Sequence, residues 1–315
     1  MKSWLKWIGI VLILVVAAAC SQQEEESAAS EETEETEGIE VQHELGTTTV
    51  PENAEDVVTL ELGVTETVAA LGIKPVGVAD DDRPERIAAS TMEVIEGYKS
   101  VGARSEPSLE LIRTLQPDVI IADVDRHEAI YEELSAIAPT VAVVNDAADY
   151  QDVLTATETI GKALDREDET EELLDEHQTM LNDLKENLEG VEGTVLQAQY
   201  TESNIFGAPT SSFFMPSFME EAGLDYALQN EEETSEDLTI EQLLKIDPDT
   251  LLLTKNEDDP SVKEQLKDDK LWNQLTAVKE DRVFELNHND WSRRRSIPAV
   301  NERMDQMKEL FAAGN

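Results

Sequence analysis

Three consecutive arginines, 293 to 295, lie in the stretch NHNDWSRRRS in a chain of 315 residues where 24 basic side chains stand against 70 acidic ones. A guanidinium is planar, stays charged at any relevant pH and presents a fork of N–H donors that matches a carboxylate. Arginines kept in so acidic a chain are suited to neutralising a compact anion, although a lone exposed arginine is ordinarily just an ion-pair partner. Three more stand in loops after strand-like runs: Arg86 in DDDRPERI, Arg104 in VGARSEP and Arg126 in ADVDRHEAI, with Arg83 as a fourth. Such loops are where open α/β sheets place ligands. An extended RRR run would point Arg293 and Arg295 one way and Arg294 the other, which leaves Arg294 as a solvated ion-pair partner.

Other chemistries find little support. No G-x-S-x-G, Walker loop, HExxH or CxxC occurs, the four histidines (43, 127, 177, 288) lack zinc-like spacing, and Ser211 and Ser212 have no evident base nearby in sequence. The chain therefore reads as a binder and not an enzyme, with no cofactor. Bare Fe3+ would be repelled by arginines, and a formal charge of -46 makes nucleic acid an unfavourable partner. His127, beside Arg126, either touches ligand or packs locally.

The elements that must position these arginines follow from periodicity. Short apolar runs at 57–60, 75–79, 118–123 and 140–144 alternate with helix-like patterns, which argues α/β layers. PSLELIRTLQPDVIIAD (107–123) is echoed 131 positions later by LTIEQLLKIDPDTLLLT (238–254): a Ser108 or Thr239 cap, a short helix, a Pro-Asp turn and a buried strand. A second echo pairs two helices closed by Gly72 and Gly223. Two echoes in matching order predict two lobes of similar topology. Between them, 165–190 predicts one long helix with Leu173, His177, Met180, Leu181, Leu184 and Leu188 on a single stripe, although 149–164 could share the linking role.

At the amino end, Lys2 and Lys6 precede an apolar run from Trp7 to Ala19 that is shorter than the roughly 20 residues of a spanning helix. Residues 1–20 read as a signal peptide, with the only cysteine, Cys20, placed as in a lipobox. Residues 21–40 hold nine glutamates and no basic residue, and 21–44 is expected to be an acidic disordered tether. The first lobe then spans 45–164, the linker helix 165–190 and the second lobe 191–315.

Four segments carry a resemblance: VVTLELGVTETVAALGIKPVGVAD (57–80), VGARSEPSLELIRTLQPDVIIADVDRHEAI (101–130), DLTIEQLLKIDPDTLLLT (237–254) and DRVFELNHNDWSRRRS (281–296). In this order they resemble the lipoprotein substrate-binding components of iron-siderophore ABC importers, and most of all the staphyloferrin A receptor and ferric-citrate binders. The resemblance implies a class III periplasmic-binding-protein-like fold: two Rossmann-like α/β lobes, one long joining helix, a shallow cleft and little hinge motion. It implies a ferric carboxylate chelate as ligand, held by Arg86, Arg104, Arg126, Arg293 and Arg295, with Arg83. Where the receptor pattern resembles R-D-x-W-x-R-x-R, this chain has His288 in place of one arginine, so a smaller ligand such as ferric dicitrate is as suitable as staphyloferrin A. Trp291 is a candidate cleft residue or a packing anchor. Glu110 and Glu241, matched in the echo, resemble the acidic pair that docks on the permease, and Cys20 would carry the lipid that holds the protein on the extracellular face of the cytoplasmic membrane. Haem or cobalamin binders on the same fold would need a more aromatic cleft. Alanine at Arg104 and Arg126 is expected to weaken binding with folding intact.

Overall fold

The runs VVT, VIIAD and TVAV are buried at every position, as suits strands covered by helices on both faces. The computed structural model describes residues 38–201 and 204–312; Cys20, the signal peptide and most of the expected tether lie outside the described residues. In chain order the strands are β1 (Gly38–His43), β2 (Gly46–Pro51), β3 (Val57–Thr59), β4 (Gly77–Val78), β5 (Lys99–Ser100), β6 (Gly102–Ala103), β7 (Glu106–Pro107), β8 (Val119–Asp123) and β9 (Thr140–Val143). The second set is β10 (Thr194–Tyr200), β11 (Phe206–Pro209), β12 (Asp225–Tyr226), β13 (Ser235–Leu238), β14 (Thr250–Lys255) and β15 (Val283–Asn287).

The first lobe is built on a parallel sheet in the order β5-β4-β3-β8-β9. The second has the order β13-β11-β10-β14-β15, with β12 also beside β10. In it β10, β14 and β15 run parallel and β11 runs antiparallel to both its neighbours. Both echoes are structural. The helices Leu109–Leu115 and Ile240–Ile246 have equal length, Ser108 and Thr239 as N-caps, and left-handed caps at Gln116 (φ 51°) and Asp247 (φ 49°). The helices Leu62–Ala70 and Phe214–Glu221 each lead into a left-handed glycine, Gly72 and Gly223.

One boundary needs correction. The tether was expected to run to residue 44, but 38–43 form β1, paired antiparallel with β2 from Gly38 opposite Pro51 to His43 opposite Gly46. The reason is apolar: Val41 and Val50 are wholly buried in the first lobe's core.

The joining helix runs Glu167–Leu188, 22 residues or about 33 Å. It buries His177, Leu181, Leu184 and Leu188, each buried leucine worth about 1.5–3 kcal/mol. The preceding helix Tyr150–Ala163 is separate, ending before left-handed Asp165, and it too bridges: Tyr150 and Val153 join the second lobe's core while Ala156, Ile160 and Ala163 join the first. The His177 ring lies 2.5 Å from the Tyr150 hydroxyl and 2.5 Å from Asn301 Oδ1 of the last helix, Ile297–Ala312. Two bridging helices and the last one thus pin the lobes together.

Candidate functional site

The first lobe's arginines are set by a strained turn. After β4 come Asp80, Asp81 and Asp82, the last two with φ of 59° and 53°. Neither is glycine, so this left-handed pair costs energy and has to be held by its surroundings. Asp80 does the holding: it accepts from Asp82 N (3.0 Å), Tyr98 Oη (2.7 Å) and Ser100 Oγ (2.5 Å). The turn thereby aims Asp81 at two guanidiniums. Its Oδ1 accepts from Arg104 N (2.9 Å), and its Oδ2 accepts from Arg104 Nε (2.9 Å), Arg104 Nη2 (2.8 Å) and Arg86 Nη1 (2.6 Å). Burial works against this carboxylate, but the Arg104 bonds and charge, with Arg86, hold its pKa below the ordinary value.

Arg104 occupies the two-residue turn between β6 and β7 and is buried. Its other side meets Glu61 Oε2 at 3.0 Å. Glu61 is wholly buried, caps the helix Leu62–Ala70, and also lies 2.6 Å from Arg126 Nε, off hydrogen-bond alignment. Arg126 belongs to the one-turn helix Val124–His127 after β8 and donates through Nη2 to Asp146, which lies beyond β9. His127 packs locally: its Nδ1 accepts from Asp123 N (3.0 Å), so its Nε2 donates to the Arg104 carbonyl (2.7 Å). Buried Asp123 accepts from the backbone N–H of Arg126, Asn145 and Asp146, tying the β8 and β9 loops.

The second lobe brings the RRR segment. Residues 289–293 form one π-helical turn and are not extended, so the backbone premise of the expected alternation fails; Arg293 and Arg295 nonetheless border one cavity that Arg294 does not. Arg295 donates to the Asn145 carbonyl (2.7 Å), the Ser292 carbonyl (2.8 Å) and Asp146 (2.8 Å), with its guanidinium carbon 5.5 Å from the Phe213 ring centre. Arg293 makes no ion pair with any described residue; its polar contact is Asn256 Oδ1 at 3.4 Å. Burial and then the charges of Arg86, Arg104 and Arg83 lower its pKa, a sign that like charges converge there.

Arg294 is not solvated, and the reading that left it so is corrected. It is 4 % exposed, donates to Glu66 through Nε, and donates to Glu302 (2.7 Å) and Asp290 (3.3 Å). Ser296 Oγ donates to the same Glu66 (2.6 Å). Asn145 and Arg295 exchange bonds across the lobes, Asn145 Nδ2 donating to the Arg295 carbonyl at 2.9 Å. Gly63 is required here because a Cβ would sit 2.0 Å from that carbonyl oxygen. Trp291 is corrected too: it is 1 % exposed within the second lobe's core, its Nε1 donating to Gln306 (3.0 Å), and it does not line the cleft. His288 does line it, beside Thr254 Oγ1 (3.1 Å), but its pKa is lowered to about 4 by burial and then by Arg293 and Arg86. It is a neutral hydrogen-bonding group at neutral pH and gains charge only as the pH falls toward 4.

Arg104, Arg126, Arg293, Arg295 and His288 line one cavity of about 390 Å³, within the range of small-ligand pockets. Arg293 also borders a larger cleft of about 1210 Å³ lined by Arg83, Arg86 and residues 256–259. Glu110 and Glu241 are exposed on the first turns of their helices, away from both. Sequence reasoning missed Glu61, Asp81 and Asp146, which stand among the arginines. Arg86, Arg104, Arg126 and Arg295 pair with these three carboxylates and Arg293 with none of them, so the five guanidiniums exceed the three carboxylates by two charges. Because Glu61 is wholly buried, removing Arg104 and Arg126 together would strand its charge, so the expectation of an intact fold in that double variant is withdrawn. Among the described residues no three His, Cys, Asp or Glu side chains come together to hold a metal ion.

Residues 57–289 match the family described as Periplasmic binding protein. The chain is 39% identical over 289 residues to YhfQ of Bacillus subtilis (strain 168), whose name marks it provisionally as an ABC transporter substrate-binding lipoprotein; the match covers 87% of this chain and 89% of that one. It is 37% identical to the Fe(3+)-citrate-binding protein YfmC of the same organism, over 86% of this chain and 85% of that one. In fold it is similar to the crystal structure of the petrobactin-binding protein YclQ of Bacillus subtilis, with a TM-score of 0.75 at 24% identity, covering 87% of this chain and 99% of the other.

Proposed function

The chain belongs to the periplasmic binding protein family, and from that premise we propose that it is the receptor of an ABC importer that captures a ferric citrate-type chelate and delivers it to a membrane permease. One observation carries the reading: guanidiniums from both lobes, Arg104 and Arg126 from one and Arg293 and Arg295 from the other, line the same cavity. A citrate chelate fills the coordination shell of its iron with its own oxygens, so it asks the protein for cationic donors and not for metal ligands. Nanomolar capture needs about 12 kcal/mol, and four to six charge-assisted contacts of about 1.5–3 kcal/mol each fit that scale after ordering costs. Arg83 and Arg86 extend the donor set into the wider cleft. His288 adds a neutral contact. The name of YfmC supports the ligand class.

Glu110 and Glu241 serve as the permease-docking pair in this reading, supported by their exposure and matched positions in the two lobes. Lipid on Cys20 would keep the protein on the outer face of the cytoplasmic membrane; a C20A chain remaining with the membrane fraction would contradict this. The ligand is tested by calorimetric titration with ferric citrate, staphyloferrin A, haem, cobalamin and a hydroxamate chelate. Ferric citrate or staphyloferrin A should bind far more tightly than the rest, and preferential binding of haem, cobalamin or the hydroxamate would overturn the assignment.

A further inference from the structure

We propose that Gln197 is a specificity-determining residue whose side-chain carbonyl accepts a hydrogen bond from the ligand, so that the cleft prefers a ferric chelate whose citrate units are joined through amides to plain ferric citrate. The inference rests on the functional reading above and chooses between its two ligands. Gln197 belongs to β10, which lies between β11 and β14 in the second lobe's sheet; it lines the 390 Å³ cavity and is 1 % exposed. Its Nε2 donates to the Trp291 carbonyl and to Ser292 Oγ, both at 3.2 Å. A carbonyl can only accept, so the nitrogen end of the amide is the one turned to Trp291. Oε1 is thereby left with no hydrogen-bond partner among the described residues. A buried amide oxygen without a donor is costly, and folded proteins seldom leave one so. Here that oxygen belongs to a wall of the ligand cavity.

The neighbours of Gln197 in the cavity lining point the same way. Gln199, Thr254, His288 and Ser292 line it as hydrogen-bonding groups without charge at neutral pH, whereas Arg104, Arg126, Arg293 and Arg295 supply its cationic part. The cavity thus offers guanidiniums for carboxylates and a neutral polar set for something else. Ionised carboxylates and iron-bound oxygens are acceptors, so they suit the guanidiniums and give Oε1 nothing. An amide linkage brings an uncharged N–H for Oε1 and a carbonyl for the hydroxyl donors beside it. A site holding an open acceptor rejects the ligand that lacks the matching donor, because filling the cavity then leaves that acceptor unpaired.

The test titrates wild type and Q197M calorimetrically with ferric citrate and with ferric staphyloferrin A, whose citrates are amide-linked; wild type also meets the ester-linked analogue, in which oxygen replaces each amide N–H. Q197M keeps the length of the side chain and removes its amide, and thermal melting checks its fold. Wild type should bind the amide-linked chelate about fivefold more tightly than the ester analogue, the scale of one neutral hydrogen bond. Q197M should lose about that factor for staphyloferrin A and less than about twofold for ferric citrate. If Gln197 merely props Trp291 and Ser292 and so places Arg293, Q197M weakens both chelates alike, and that result would overturn the proposal. Equal binding of amide and ester chelates by wild type would overturn it too, and this arm, run on the unaltered protein, decides if Q197M does not fold. Should wild type bind none of these ferric carboxylate chelates, the functional reading fails and the Gln197 assignment with it; should it bind ferric citrate without the amide preference, the Gln197 assignment fails alone.

Discussion

Replacing Arg293 with alanine separates ligand binding from stability more cleanly than any other change in the cluster. Arg104 is ion-paired to Asp81 and to buried Glu61, so R104A leaves Glu61 with a misaligned contact to Arg126 as its remaining ion pair and should cost about 3–5 kcal/mol. At about 2–4 °C per kcal/mol for a domain of this size, that is a fall in Tm of about 6–20 °C. Arg293 has no acidic partner among the described residues and sits among Arg83, Arg86 and Arg104, whose charges disfavour its own. Removing it relieves repulsion, so the Tm of the free R293A protein should stay within about 2 °C of wild type or rise. Binding should suffer, because Arg293 borders both clefts and can meet an anion without breaking an ion pair. A charge-assisted contact of about 1.5–3 kcal/mol corresponds to roughly 10- to 150-fold in Kd. Calorimetric titration with ferric citrate reads the affinity and differential scanning calorimetry the stability. Affinity within threefold of wild type, or a loss of Tm matching that of R104A, would refute the argument that Arg293 is held in reserve for ligand.

Three further outcomes follow from the geometry. E110A/E241A should bind ferric citrate as wild type does yet fail to support uptake in cells, and intact uptake would remove the docking assignment. R294M leaves Glu66 buried without its guanidinium and should cost about 3–5 kcal/mol in urea unfolding, most of it recovered in E66Q/R294M; a near-neutral R294M would mean the lobes are held by other contacts. His288 titrates near 4 in the folded protein against an ordinary 6.5. Between those values the unfolded chain holds a proton that the folded one refuses, so stability falls as pH drops through that window. H288N should flatten the fall in a series of melts from pH 7 to pH 4, and an unchanged slope would show that other groups cause it.

Much of the architecture could be read from residues alone because it rests on local rules. Ser108 and Thr239 cap their helices through side-chain oxygens, the Pro-Asp turns lead into buried strands, and the leucines of 173–188 share a stripe. The arginine loops were legible for the same reason, since each follows a strand. The acidic partners were not: in a chain with 70 acidic residues, Asp81 and Asp146 look like any other surface acid. Three aspartates in a row one residue past a strand were the available signal, because two left-handed residues there need support that solvent would not supply. Arg294 was misjudged through the assumption of an extended segment, and a π-helical turn has no periodicity visible in five residues; for Trp291 the sequence left cleft and packing roles open, and the structure shows packing.

The reciprocal bonds between Asn145 and Arg295, with Gly63 pressed against the same carbonyl, have a kinetic corollary. The segment that delivers the second lobe's donors is also spliced into the first, so uptake from solution is expected to proceed without a preceding bulk rotation of the lobes. Association should be a single second-order event whose observed rate climbs linearly with chelate concentration and never plateaus. Residence time then depends on how fast individual guanidiniums let go.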